Sequence, residues 1–98
     1  MPSYRVTMTV GMTRPGVAPD RVLPTAADAA AELTTVEAAD LGIVAGAPRI
    51  TIRFTADDAE LAVQLGQHIA AATDAVAEVL VAKVTERVKG RWYVVRAA

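Results

Sequence analysis

The chain has 98 residues and no cysteine, so it can bury one core without disulfides and offers no thiol nucleophile, thiolate metal site or iron–sulfur cluster. Apolar residues make up 53% and aromatics only 4%, with Ala alone about a fifth of the chain, which is the composition of a folded core rather than a disordered segment. A formal net charge of −1 gives no bulk attraction to nucleic acid or membrane, and one His leaves little scope for a His-based metal site.

Met1-Pro2-Ser3-Tyr4-Arg5-Val6-Thr7 has no basic segment leading into an unbroken apolar run, and no stretch is apolar for long enough to span a bilayer. The expectation is a soluble, cytoplasmic protein with no membrane association. Residues 4–12 alternate, with Tyr4, Val6, Met8, Val10 and Met12 on one face, so they are predicted to form a half-buried strand. Residues 13–24 hold Pro15-Gly16, Pro19 and Pro24 and read as a turn-rich connection. Thr25 followed by Asp28 resembles a capping box, predicting a short helix over about 26–33 with a thin stripe of Ala26, Ala29, Ala30 and Leu33.

Residues 35–45 read as a second strand interrupted by Gly42, and Ala45-Gly46-Ala47-Pro48 as a turn. Residues 49–55 alternate again, with Ile50, Ile52 and Phe54 inward. Thr55 with Asp58 repeats the capping signal, and Asp57, Asp58 and Glu60 crowd a first turn where the helix dipole favours anions. A helix to about residue 74 carries the stripe Leu61, Leu65, Ile69, Ala72 and Val76. Residues 78–88 and 91–96 are predicted strands joined by Lys89-Gly90 as a two-residue hairpin loop.

The order β-α-β-β-α-β plus a last strand resembles the ferredoxin-like split βαβ plait. The expected class is α+β: residues 1–98 as one ferredoxin-like domain, an antiparallel sheet with two helices on one face and an extra C-terminal hairpin strand. An internal repeat supports that plan. Arg5-Val6-Thr7-Met8-Thr9-Val10, Arg49-Ile50-Thr51-Ile52-Arg53-Phe54 and Lys83-Val84-Thr85 share a basic–apolar–Thr opening. In the plait these would be adjacent strands, leaving Arg5, Thr7, Thr9, Arg49, Thr51, Arg53, Lys83, Thr85 and Arg87 on the helix-free face. No Lys or Arg lies between Arg21 and Arg49 or between Arg53 and Lys83, and these gaps hold both helices and most of the acids. The helical side should therefore be acidic and the open sheet basic.

With a two-residue loop, Arg87 pairs with Trp92 and Thr85 with Val94, so Trp92, Val94 and Arg96 join Val81, Lys83, Thr85 and Arg87 on the open face. A longer, bulged turn would instead turn Trp92 into the core. In the first register Trp92 can stack on Arg87. A Trp and two Val on a polar sheet have the composition of a contact surface. Trp92, Val94, Val81, Arg87 and Thr85 are the interface candidates, and Arg5, Arg49, Arg53, Lys83 and Arg87 the candidates for holding an anion.

No catalytic, cofactor-binding or metal-binding constellation is evident. His68 sits at the margin of the apolar stripe with no partner base or nucleophile, and the acids at 57–60 read as dipole complements. Acylphosphatase-type plaits use an Asn with an Arg, and the chain has no Asn; copper-chaperone plaits need a Cys pair. RNA-recognition plaits stack bases on aromatics of the central strands, which here present Arg and Thr. Cofactor-free monooxygenase plaits use polar pocket residues such as Asn, His or Trp, and only His68 and Trp92 are available. Thr13-Arg14-Pro15-Gly16-Val17 resembles the Pro-Gly turn of ACT-type regulatory domains, which would imply an amino-acid site at Arg14–Val17; here Pro19 and Pro24 intervene before the helix. The expected function is thus a non-catalytic interaction or regulatory module, forming a homodimer or docking on another protein through its open sheet. The alternatives are an anion binder with at most weak nucleic-acid binding through the Arg, Lys and Thr rows, and a small-ligand or enzymatic plait with a pocket between sheet and helices.

Overall fold

The computed structural model describes residues 1–95. It is an α+β arrangement: β1 (Ser3–Thr13), α1 (Val22–Ala31), β2 (Val36–Val44), β3 (Ala47–Thr55), α2 (Ala59–Asp74), β4 (Ala77–Val88) and β5 (Arg91–Val94), with one 3-10 turn at Pro19–Arg21 before α1. The five strands form one antiparallel sheet in the order β2-β3-β1-β4-β5. This is compatible with a ferredoxin-like fold. The three strands carrying the repeat are neighbours, with Thr7 opposite both Thr51 and Lys83.

Period-2 alternation places Tyr4, Val6, Met8 and Val10 of β1 beside Ile50, Ile52 and Phe54 of β3 under both helices. From α2 they are met by Ala62, Leu65 and Ile69, and from α1 by Val22, Ala26 and Ala30. Thr73 is the one fully buried polar side chain among the described residues, and its hydroxyl donates to Ile69 O at 2.8 Å. Tyr4 is also deeply buried; its hydroxyl donates to Glu86 Oε2 at 3.0 Å, and burial and that carboxylate push its pKa up to about 12.

Several sequence expectations shift. Met12 is 82% exposed rather than in the core, because the β1–β4 register slips after Thr9 and again after Val10, which breaks the alternation. Helix α1 begins four residues early. Pro24 is its third residue, where the missing N–H would have had no intrahelical partner. Thr25 is therefore no cap; its hydroxyl donates back to Arg21 O at 2.7 Å, and Leu33 lies exposed beyond the helix. On α2, Asp58 rather than Thr55 caps the helix, accepting from Leu61 N at 2.8 Å. The buried stripe is Ala62, Leu65, Gly66, Ile69 and Thr73, with Leu61 and Ala72 at its edge. The small residues win the centre because Gly66 packs directly on Val84 of β4. Both hairpin turns place a non-glycine and a glycine at positive φ: Ala45 at 51° with Gly46 at 79°, and Lys89 at 50° with Gly90 at 79°.

Candidate functional site

The face of the sheet opposite the helices is a grid of short polar rows. The ladders align Ala38, Arg53, Arg5, Thr85 and Val94 across all five strands. The adjacent row runs Asp40, Thr51, Thr7, Lys83, and the next Gly42, Arg49, Thr9, Val81. On the other side lie Thr55 and Ser3, with the pair Arg87 and Trp92 on β4 and β5. All the interface candidates (Trp92, Val94, Val81, Arg87, Thr85) and all the anion candidates (Arg5, Arg49, Arg53, Lys83, Arg87) fall on this face. Arg96 lies outside the described residues.

Trp92 takes the hairpin register expected of a two-residue loop, opposite Arg87. Its cation partner differs from the expectation. The ring leans inward across β4, so that the Arg5 guanidinium lies 3.9 Å from the ring centroid and that of Arg53 5.5 Å. Arg5 and Arg53 are directly opposed on neighbouring strands. Like charges so placed repel, and the electron-rich ring face is one compensation. Glu37 is the other. The β2–β3 register slips between Val36 and Ala38, and the extra residue carries its carboxylate over the open face. There Glu37 Oε1 lies 3.2 Å from Arg53 Nε, a contact misaligned for a hydrogen bond but close enough for an ion pair. The same oxygen accepts from the Ser3 hydroxyl at 2.7 Å.

The charge segregation is consequently incomplete. Glu37 and Asp40 on β2 belong to the open face, which among the described residues carries five cations (Arg5, Arg49, Arg53, Lys83, Arg87) and an acidic rim along one edge. Glu86 faces the helices instead, held by Tyr4. Alternation from the helix-facing Val36 sets Glu37 on the open face, and the slip beside it, which has no obvious residue signal, brings Asp40 to the same face.

Elsewhere, His68 lies exposed on α2. Among the described residues, no group of three or more His, Cys, Asp and Glu side chains comes together as a metal site would require, and no helix is long and apolar enough to cross a membrane. Pro15-Gly16 forms a tight turn, with Gly16 at φ 81° and Val17 N donating to Arg14 O at 3.0 Å. Arg14 is occupied structurally: its Nε donates to Asp74 O at 2.9 Å, and its guanidinium lies 3.1 Å from Asp74 Oδ1 at the end of α2. Among the described residues, clefts open on the helix side. One of about 350 Å³ is bordered by Val10, Met12, Val22, Leu41, Pro48 and Ile50; another of about 330 Å³ lies between α2 and β4 beside Val63, Gly66, Val84 and Val95. The first is walled by aliphatic side chains and gathers no titratable group, so it offers nothing that moves a proton. No protein-family model, curated protein or solved structure matches the chain.

Proposed function

We propose that this chain is a non-catalytic interaction module, a ferredoxin-like plait with β5 added, whose open sheet face docks on an acidic surface of another protein. The observation that carries the reading is the opposed pair Arg5 and Arg53 beneath Trp92. Two adjacent guanidinium groups hold more donors than Glu37 can satisfy, and Trp92 adds a rigid apolar contact beside them, the residue types that dominate interface energetics. Lys83, Arg87 and the Thr7–Thr51 row extend the same surface. A second copy is the less favoured occupant of this face, since five cations against two acids would meet their own excess.

The lone Trp of the chain is also the reporter. An oligoglutamate peptide titrated into the protein at low salt should alter Trp92 emission, and binding should weaken as salt screens the face. Arg5→Gln with Arg53→Gln should weaken it by about tenfold while leaving the fold intact. Absence of binding at low salt, or binding indifferent to both substitutions, overturns the reading. Tighter, salt-resistant binding of an oligothymidine strand would replace it with nucleic-acid binding.

A further inference from the structure

The second surface is an edge, not a face. β2 closes one side of the sheet, so along Val36–Val44 every second backbone N–H and C=O points outward without a sheet partner. Long free edges are usually blunted by Pro, Lys, a bulge or an inward charge; the bulge at Glu37 interrupts only the start of this edge, and from Ala38 to Val44 none of these occurs. Leu41 is 54% and Ile43 69% exposed on the helix side of it. Three further features coincide there. Gly42 interrupts the strand although its own chain does not require a glycine: its φ is not positive, and an added Cβ would meet nothing within 4 Å. Its ladder neighbour Arg49 has no ion-pair partner among the described residues, and the Arg49 Nε is shielded from water with no hydrogen-bond partner. Asp40, two residues from Gly42 on the same face, is exposed and equally unpaired.

We infer that two copies of this chain pair antiparallel through β2, about a two-fold axis at Leu41, to form one continuous ten-stranded sheet. The two-fold preserves the faces of the sheet, so the register can change only in steps that pair open-face residues with open-face residues. Centring on Asp40 sets the two Asp40 carboxylates against each other, and centring on Gly42 leaves Arg49 facing its own copy across two glycines. Centring on Leu41 places Gly42 opposite the partner copy's residue 40. Arg49 then reaches over the missing side chain toward that carboxylate, two strand spacings or roughly 10 Å away from its own backbone, within the combined length of an Arg and an Asp. The two-fold makes the bridge twice. On the helix side Leu41 meets its own copy, and Ile43 meets residue 39 of the partner copy, covering the exposed apolar pair and closing one wall of the 350 Å³ cleft. The register also stops short of the Glu37 bulge, which could not continue the ladder.

This pairing uses a different surface from the open-face docking and stands independently of it. Sedimentation equilibrium at micromolar to hundred-micromolar concentration should show a species of twice the 10.2 kDa chain mass. Asp40→Arg and Arg49→Asp should each weaken association at least about tenfold, and the double charge reversal should restore it, because the same bridge re-forms with its ends exchanged. Leu41→Pro, which removes a donor and blocks the edge, should give a monomer; circular dichroism of that variant checks that it remains folded. A monomeric wild type, a dimer indifferent to the single reversals, or a double variant no better than the singles overturns the inference. A dimer lost in Arg5→Gln with Arg53→Gln but kept in Asp40→Arg would assign self-association to the open face instead.

Discussion

Gly66 offers the sharpest test of how α2 sits on the sheet. A Cβ placed there would lie 2.5 Å from Val84 Cγ2 and 3.8 Å from Val6 Cγ2, where ordinary carbon contacts begin near 3.5 Å. Two effects oppose each other in Gly66→Ala. Helix propensity favours Ala by about 1 kcal/mol in a helix interior. Overpacking a filled core costs about 1–3 kcal/mol, and Val84 is buried, β-branched and hemmed in by Val6, so it has little room to rotate away. The clash should win, leaving the variant less stable by about 1 kcal/mol, a fall in melting temperature of about 4–8 °C for a chain of this size. Val84→Ala alone should also destabilise, by roughly 2 kcal/mol for two buried methyl groups. The double variant should recover about 1–2 kcal/mol relative to additivity, because the new methyl group fills the space the Val leaves. Thermal and urea unfolding of the four proteins completes the cycle. A Gly66→Ala protein that melts higher than wild type, or strict additivity in the cycle, would refute the α2–β4 contact.

Asp58→Ala should cost about 1 kcal/mol by urea unfolding, since it removes the carboxylate that accepts from Leu61 N; Asp58→Ser should recover most of it. Tyr4 makes stability fall at alkaline pH. Its folded-state pKa of about 12 lies above the ordinary 10, so the native chain holds the phenolic proton more tightly than the unfolded one. That contribution is complete below pH 10 and is lost progressively between pH 10 and 12, to a total of about 2–3 kcal/mol. Tyr4→Phe should flatten this alkaline limb, and an unchanged limb would mean that the phenol is not buried against Glu86.

How much of this could be read from the chain differs element by element. Strict alternation in β1 and β3 placed Val6, Met8, Val10, Ile50, Ile52 and Phe54 correctly, because period 2 admits one inward set once the strand is granted. Lys89-Gly90 set the register of Trp92, because a two-residue loop leaves no freedom in pairing. Reading failed where tertiary contacts decide. On α2 the largest apolar residues define the predicted stripe, yet the close approach of Val84 rewards Ala62 and Gly66 and rotates Leu61 to the margin. At α1 the Thr25 cap was a sound local signal overruled by a 3-10 turn and a Pro that is harmless in a first turn. Met12 was misplaced because it follows a register slip, which takes it out of the buried row without altering the residue pattern that leads into it, and the slip beside Glu37 likewise changes the face of the β2 side chains beyond it.

Those slips bear on what each surface can do. Without the bulge at Glu37, alternation from Val36 would carry Ala38 and Asp40 toward the helices and leave Leu41 and Ile43 on the open side. The inserted residue reverses that order. It puts Asp40 in the row of Thr51 and Thr7, beside the cation face, and sends Leu41 and Ile43 to the helix side, where α1 does not reach them. One extra residue thus adds Asp40 to the acidic rim of the cation face and gives the edge its apolar seam. It also fixes where the edge can pair, since a ladder must start beyond Glu37 and end before the turn at Ala45 and Gly46. Within that window of seven residues, from Ala38 to Val44, the central position is Leu41. The centre demanded by the ladder and the centre demanded by Arg49 and Asp40 are therefore the same residue, although the first follows from backbone geometry and the second from charge.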